Sequence, residues 1–217
     1  MRKMLSLLVI LLVVGLSYVV YGASPESYMP LKEGMVWEFQ YKVIDLKTKN
    51  QVDEAKSTKK ILPPVDIKGT KVTPQLFSFY KPKNVLQNES KYFIRKEPSG
   101  FSVFARQSKK DKVPKIIDKK FYVLKFPLTK GASWKHDLKN FTVNIIIEST
   151  NADVQVPAGT FKNCLLIKKL YFNKGDVKKP TQESLFWFAP GVGNVKVVRK
   201  NFEKNREVTQ ELVSLKK

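Results

Sequence analysis

The chain contains one cysteine, Cys164, and one histidine, His136, in 217 residues. A lone thiol forms no intramolecular disulfide, so even in an oxidising compartment the fold rests on packing alone. Transition-metal sites need three or four Cys, His and carboxylate ligands at suitable spacing, so no metal is expected, and no cofactor motif is present. Arginine is scarce as well: of 40 basic residues, five are Arg and the rest Lys. Arg dominates the forked recognition of bases and phosphates, so its scarcity argues against a nucleic-acid partner. Beyond residue 24 no apolar run approaches the roughly 20 residues of a spanning helix. Helical periodicity is missing too, apart from Val85 to Lys91, which could hold one short turn.

What is present begins at the N-terminus. Met1-Arg2-Lys3 precedes an apolar run from Met4 to Val20, then Tyr21-Gly22-Ala23-Ser24-Pro25. A basic start, an apolar stretch and small residues before a proline predict a signal peptide over residues 1–22, forming an N-terminal signal helix. The remaining residues, 23–217, are then one exported domain. The alternative is a retained membrane anchor. No cysteine lies at the junction to carry a lipid.

The formal net charge is +21. A lysine-covered surface keeps a β-rich protein soluble and blunts its sheet edges. It also attracts anionic headgroups or cell-wall polymers, by about 1 kcal/mol per Lys near an anionic surface.

Period-two alternation dominates the chain after residue 35. In MVWEFQYKV, Trp37, Phe39, Tyr41 and Val43 share one face, and Glu38, Gln40 and Lys42 share the other. Similar runs recur from Thr70 to Leu215, separated by turn signals. The expected fold is all-β, a single antiparallel meander forming a half-open barrel or a sandwich. Two turns are legible. In VPAGTF, Pro157 suits the second position of a type I turn and Gly159 the positive-φ residue of a bulged hairpin; in APGVGNV, Pro190 and Gly191 suit a type II turn. The lysine-rich stretch at residues 107–120 reads as a solvated loop or exposed hairpin between two halves, about 28–120 and 121–217.

A pseudo-repeat supports those halves. PLKEGMVWEF at residues 30–39 and PLTKGASWKH at residues 127–136 share Pro-Leu-x-x-Gly-x-x-Trp. Gly34 and Gly131 are expected to permit a tight turn, and Trp37 and Trp134 to anchor the strand that follows.

Candidate chemistry is thin. Ser133, His136 and Asp137 are too close together on one strand to build a hydrolase triad, which assembles from separate elements. His136 is expected to be an exposed strand-end residue at the position Phe39 holds in the first copy. Cys164 lies in CLLIKKLYF and reads as a buried core residue, since burial raises a thiol's pKa. No catalytic residue is assigned. Three runs are apolar on both faces: Phe121-Tyr122-Val123-Leu124, Ile145-Ile146-Ile147 and Leu185-Phe186-Trp187-Phe188. Such strands must be covered on both sides, by a filled sandwich core or by an apolar ligand in a curved sheet. On the second reading Phe121, Tyr122, Phe186, Trp187 and Phe188 line the groove.

The Pro-Leu-x-x-Gly-x-x-Trp, Val156-Pro157-Ala158-Gly159-Thr160-Phe161 and Trp187-Phe188-Ala189-Pro190-Gly191-Val192-Gly193 motifs together resemble a broad family of exported bacterial proteins of unknown function, sometimes called TapB-like. The resemblance implies a single β-rich domain, a half-open barrel similar to periplasmic lipoprotein carriers, and no catalytic residues. Many members are lipoproteins, and this chain departs from them in lacking the lipid-modified cysteine. The expectation is an exported, non-enzymatic periplasmic or cell-surface protein that binds a lipid or another anionic envelope component. It would touch the membrane only through an uncleaved signal or surface attraction. The alternative is an envelope adaptor that binds other proteins through a sheet edge.

Overall fold

The computed structural model describes residues 23–176 and 178–217, so the expected signal peptide lies outside the described residues. Thirteen strands form one antiparallel meander. They are β1 (Val36–Asp45), β2 (Gln51–Ile61), β3 (Val65–Ile67), β4 (Thr70–Lys81), β5 (Val85–Glu97), β6 (Gly100–Ser108) and β7 (Lys115–Lys125), then β8 (Ser133–Asp137), β9 (Phe141–Val156), β10 (Gly159–Asn173), β11 (Gln182–Ala189), β12 (Gly193–Asn201) and β13 (Arg206–Lys216). The hydrogen-bonded order runs β7-β6-β5-β4-β2-β1-β13-β12-β11-β10-β9-β8, with β3 pairing β4 off this path. First and last strands meet in the middle through the β1–β13 ladder, from Val36 opposite Lys216 to Asp45 opposite Arg206.

The sheet curls into a nearly closed barrel whose seam lies between β7 and β8. There Tyr122 N–H on β7 donates to Nε2 of His136 on β8 at 3.1 Å. The turns follow the sequence expectations. Val192 N–H donates to Ala189 O at 3.2 Å across Pro190 and Gly191, whose φ is 69°. Gly159 takes positive φ directly after Pro157-Ala158 and pairs with Val156. Residues 107–120 form an exposed hairpin rather than a loop, and β7 extends through the expected half boundary at residue 120. Residues 85–91 are not a helical turn: they begin β5, after a 3-10 turn at Pro82–Asn84.

Two apolar clusters hold the curl. One gathers Phe101, Leu124, Trp134, Val143, Ile145, Ile147, Leu165 and Ile167. The other gathers Trp37, Phe39, Ile61, Cys164, Val195 and Leu212. Between them the N-terminal segment crosses the end of the barrel. Gly191 N–H donates to Ser27 O at 2.9 Å, and a Cβ on Gly193 would sit 3.2 Å from Cδ of Pro30. Glycine at residue 193, with φ of 84°, thus lets this segment lie close against the start of β12.

Candidate functional site: the barrel interior

The inward faces do not fill the barrel. A cavity of about 470 Å³ remains, within the 300–1,000 Å³ range of small-ligand sites. Alternation along each strand decides what lines it. From β1 come Phe39 and Tyr41, from β2 Lys59, and from β4 Gln75 and Phe77. From β10 come Lys169 and Tyr171, from β11 Phe186 and Phe188, and from β12 Val197 and Arg199. Phe121 and Val123 of β7 and Gln210 of β13 complete much of the wall, while Tyr28, Met29 and Pro30 of the N-terminal segment close one end.

Of the five aromatic residues expected to line a groove, Phe121, Phe186 and Phe188 do. Tyr122 and Trp187 do not, because each follows or precedes an inward residue and so faces the other side. Tyr122 packs against the first cluster, with its hydroxyl 2.8 Å from Ser99 Oγ, and Trp187 packs against the second. The face carrying Tyr122 or Trp187 is therefore packed by the protein itself, while the face carrying Phe121, Phe186 and Phe188 lines the cavity.

His136 corrects the sequence expectation. It is buried at 7% exposure, with its ring stacked on Phe121 at 4.2 Å between centroids. Burial lowers its pKa, opposed by the backbone contact with Tyr122 and by Asp137 and assisted by Lys169 and Lys125, and the neutral ring accepts from Tyr122 N–H. Ser133 and Asp137 are exposed, and the Asp137 carboxylate accepts from Thr142 Oγ1 at 2.8 Å, so the three residues do not form a triad. Burial also pushes the Cys164 thiol up to about 11, as a core residue requires. Among the described residues no group of three or more His, Cys, Asp and Glu side chains could hold a metal.

Nothing in the strand patterns marks the cations inside. Lys59 is 8% exposed and Lys169 7%, and both line the cavity with the half-buried Arg199. The Lys59 Nζ stands 3.6 Å from the centroid of the Trp37 ring. The Lys169 Nζ and the Arg199 guanidinium carbon lie 4.5 and 5.8 Å from that of Phe186. Aromatic faces attract cations through their quadrupole, which offsets part of the desolvation. Burial nevertheless pushes Lys59 down to about 7; burial and then the Arg199 charge push Lys169 down to about 8. No Asp or Glu among the described residues lines the cavity.

No family model matches the chain, and no curated protein matches it. Among solved structures it is similar to a proposed exported protein with a YmcC-like fold from Bacteroides fragilis, at 14% identity and a TM-score of 0.53, covering 88% of this chain and 99% of that one. Weaker likeness extends to a proposed lipoprotein from Parabacteroides distasonis, at 18% identity and a TM-score of 0.44, over 87% of this chain and 98% of that one. A β-barrel-like protein of the DUF1849 family from Brucella abortus gives 9% identity and a TM-score of 0.48, over 86% and 99%. At such identities likeness speaks of fold alone, and the chain shares that of the YmcC-like protein over nearly its whole described length.

Proposed function

We propose that this protein is an exported, non-enzymatic component of the cell envelope that binds an apolar or amphipathic ligand of lipid character inside its barrel. The observation that carries the reading is the aromatic-walled cavity of about 470 Å³, open enough for a ligand and lined by Phe39, Phe77, Phe121, Phe186 and Phe188. Apolar pockets with a few placed polar groups are the usual form of small-molecule sites. The basic start and apolar run of residues 1–20 support export, as does the fold shared with a proposed exported protein. The test uses protein purified without detergent. Mass spectrometry of its organic extract should find co-purifying lipid, and the uncharged fluorophore N-phenyl-1-naphthylamine should brighten on binding. Protein that carries no lipid, leaves the fluorophore dim and gains no thermal stability from added lipid would sink the reading.

A second reading, an adaptor working through a sheet edge, draws on the seam. Among the described residues β8 pairs only with β9, and β7 only with β6, so each has one unladdered edge. Such edges accept an added strand. A stoichiometric protein partner captured without lipid would favour this reading.

A further inference from the structure

We propose that Lys169 and Arg199, flanking Phe186, form an internal anion site for the ionised headgroup of a single-chain amphiphile, a carboxylate or phosphate monoester whose hydrocarbon tail lies against Phe39, Phe188 and Val197. The inference rests on the reading of the cavity as a ligand site and adds the charge, orientation and chain number of the ligand.

Neighbouring residues on the same strands show what is unusual about these cations. Lys168, adjacent to Lys169 but facing outward, has Glu148 and Glu183 at 3.6 and 3.7 Å. Lys200, adjacent to Arg199 and also facing outward, has Glu207 at 3.7 Å, and Lys196 has Glu211 at 2.8 Å. Outward cations on β10 and β12 thus have carboxylate partners in water, where such pairs contribute little. The inward pair, where a partner would matter most, has none among the described residues. A buried charge without a counter-charge is costly, and two like charges beside one ring add repulsion. One anion placed between them relieves both costs.

The hydrogen-bonding capacity points the same way. Arg199 has five N–H donors, and its guanidinium donates to Gln210 Oε1 at a long 3.4 Å. Lys169 adds three more. The cavity-lining groups around them, Tyr41, Tyr171 and Gln210, are uncharged and can complete the shell of a bound oxyanion. Arg keeps its charge at any physiological pH. Lys59 is a poorer candidate for the headgroup: its ammonium already lies against the Trp37 face, and burial leaves it near half-protonated at neutral pH.

Polarity along the cavity sets the orientation. Toward the end closed by the N-terminal segment the wall is Met29, Pro30, Phe39 and Phe188; the one cation there among the described lining residues, Lys59, opposite Trp37, is held against the Trp37 ring. Two residues further along β12 from Val197 comes Arg199, half-buried where Val197 is 1% exposed. Lys169 and Arg199, both opposite Ser184, thus stand at one level of the cavity, beyond Val197 from the N-terminal segment, and the tail lies toward Phe39 and Phe188. A volume of about 470 Å³, in the lower half of the usual range, suits one chain rather than several.

The test displaces bound N-phenyl-1-naphthylamine with tetradecanoate, tetradecyl phosphate, the uncharged tetradecanol and inorganic phosphate at pH 7. Both anionic amphiphiles should act at roughly tenfold lower concentration than tetradecanol, about 1.4 kcal/mol, and inorganic phosphate should not displace the fluorophore. Lys169→Met combined with Arg199→Met should bring the three amphiphiles to within about twofold of each other. Lys59→Met should leave the preference in place, as should Lys169→Arg, a charge-keeping variant that controls for folding. Equal displacement by anionic and uncharged chains overturns the anion site while leaving the cavity a lipid site. A preference lost in Lys59→Met but kept in the double variant overturns its placement. Inorganic phosphate as effective as tetradecyl phosphate overturns the amphiphile. A fluorophore that never binds overturns both this inference and the function on which it rests.

Discussion

The two Pro-Leu-x-x-Gly-x-x-Trp copies build the same turn and meet different fates. Gly34 has φ of 84° and Gly131 of 85°. In the first copy Gly34 N–H donates to Ile61 O and Ile61 N–H to Met35 O, at 3.1 and 3.0 Å. In the second, Gly131 N–H donates to Ile147 O and Ile147 N–H to Ala132 O, at 2.8 and 2.9 Å. Each turn thus locks its Trp-bearing strand to the strand that follows. Beyond that the copies diverge. Trp37 enters β1, which is laddered on both sides, and its indole N–H donates to Val192 O at 2.8 Å. Trp134 enters β8, a five-residue edge strand, and among the described residues its buried indole N–H has no partner. Where Phe39 fills the wall in the first copy, His136 bridges the seam in the second. A local motif specifies its turn; what its strand then touches is set by elements far away in sequence.

The comparison can be broken most severely at the tryptophans. Core aromatic truncation costs about 3–5 kcal/mol, and Trp37→Ala should fall at the top of that range. Trp134→Ala should cost less, because its strand has one ladder and its indole bond is already missing. Denaturant titration of both variants checks this, and equal losses would erase the distinction between centre and seam. Next come the glycines. Nothing lies within 4 Å of a Cβ built on either, so Gly34→Ala and Gly131→Ala should each cost only the positive-φ strain of about 1–2 kcal/mol, and by the same amount. Unequal losses would mean that the two turns are not equivalent.

A finer contrast isolates the indole bond. Trp37→Phe should lose about 1 kcal/mol more than Trp134→Phe, since only the former gives up a hydrogen bond. The smallest effect concerns acid. His136 has a folded pKa below its unfolded value, so the unfolded chain binds more protons between the two and stability falls as pH drops below about 6.5. His136→Phe, which copies the first repeat, should flatten the thermal midpoint between pH 7 and pH 5 relative to the parent protein. Steepening instead would show that the seam does not depend on the neutral ring. The buried lysines have the same sign at higher pH. Their folded pKa values of about 7 and about 8 lie below the unfolded value, so the empty protein gains stability as pH rises from neutrality towards 10. In Lys169→Met this gain should shrink.

Most strands were legible because one face of each packs on apolar neighbours, leaving a period-two trace. The exception is instructive. QVDEAKSTKKI, which forms β2, shows no apolar alternation, since its inward residues Ala55, Ser57 and Lys59 face Tyr41 or the cavity rather than a filled core. The strand was missed for the reason that makes the interior interesting. Similarly, β9 runs unbroken through the polar Asn151-Ala152, with register shifts against β10 between Phe161 and Ile167. His136 read as exposed because β8 alone gives no sign that β7 lies alongside.

By itself the sequence determined the all-β class, the turns at Gly34, Gly131, Pro157 and Pro190, and the burial of both tryptophans, because each depends on residues a few positions apart and on alternation along one strand. Tertiary structure decided that the sheet nearly closes, that His136 bridges the seam between its ends, and that Lys169 and Arg199 face inward while Lys168 and Lys200 face out. A lysine reads the same on either face of a strand. Only the curl of the whole sheet determines which face sees water, and with it which charges lack a partner.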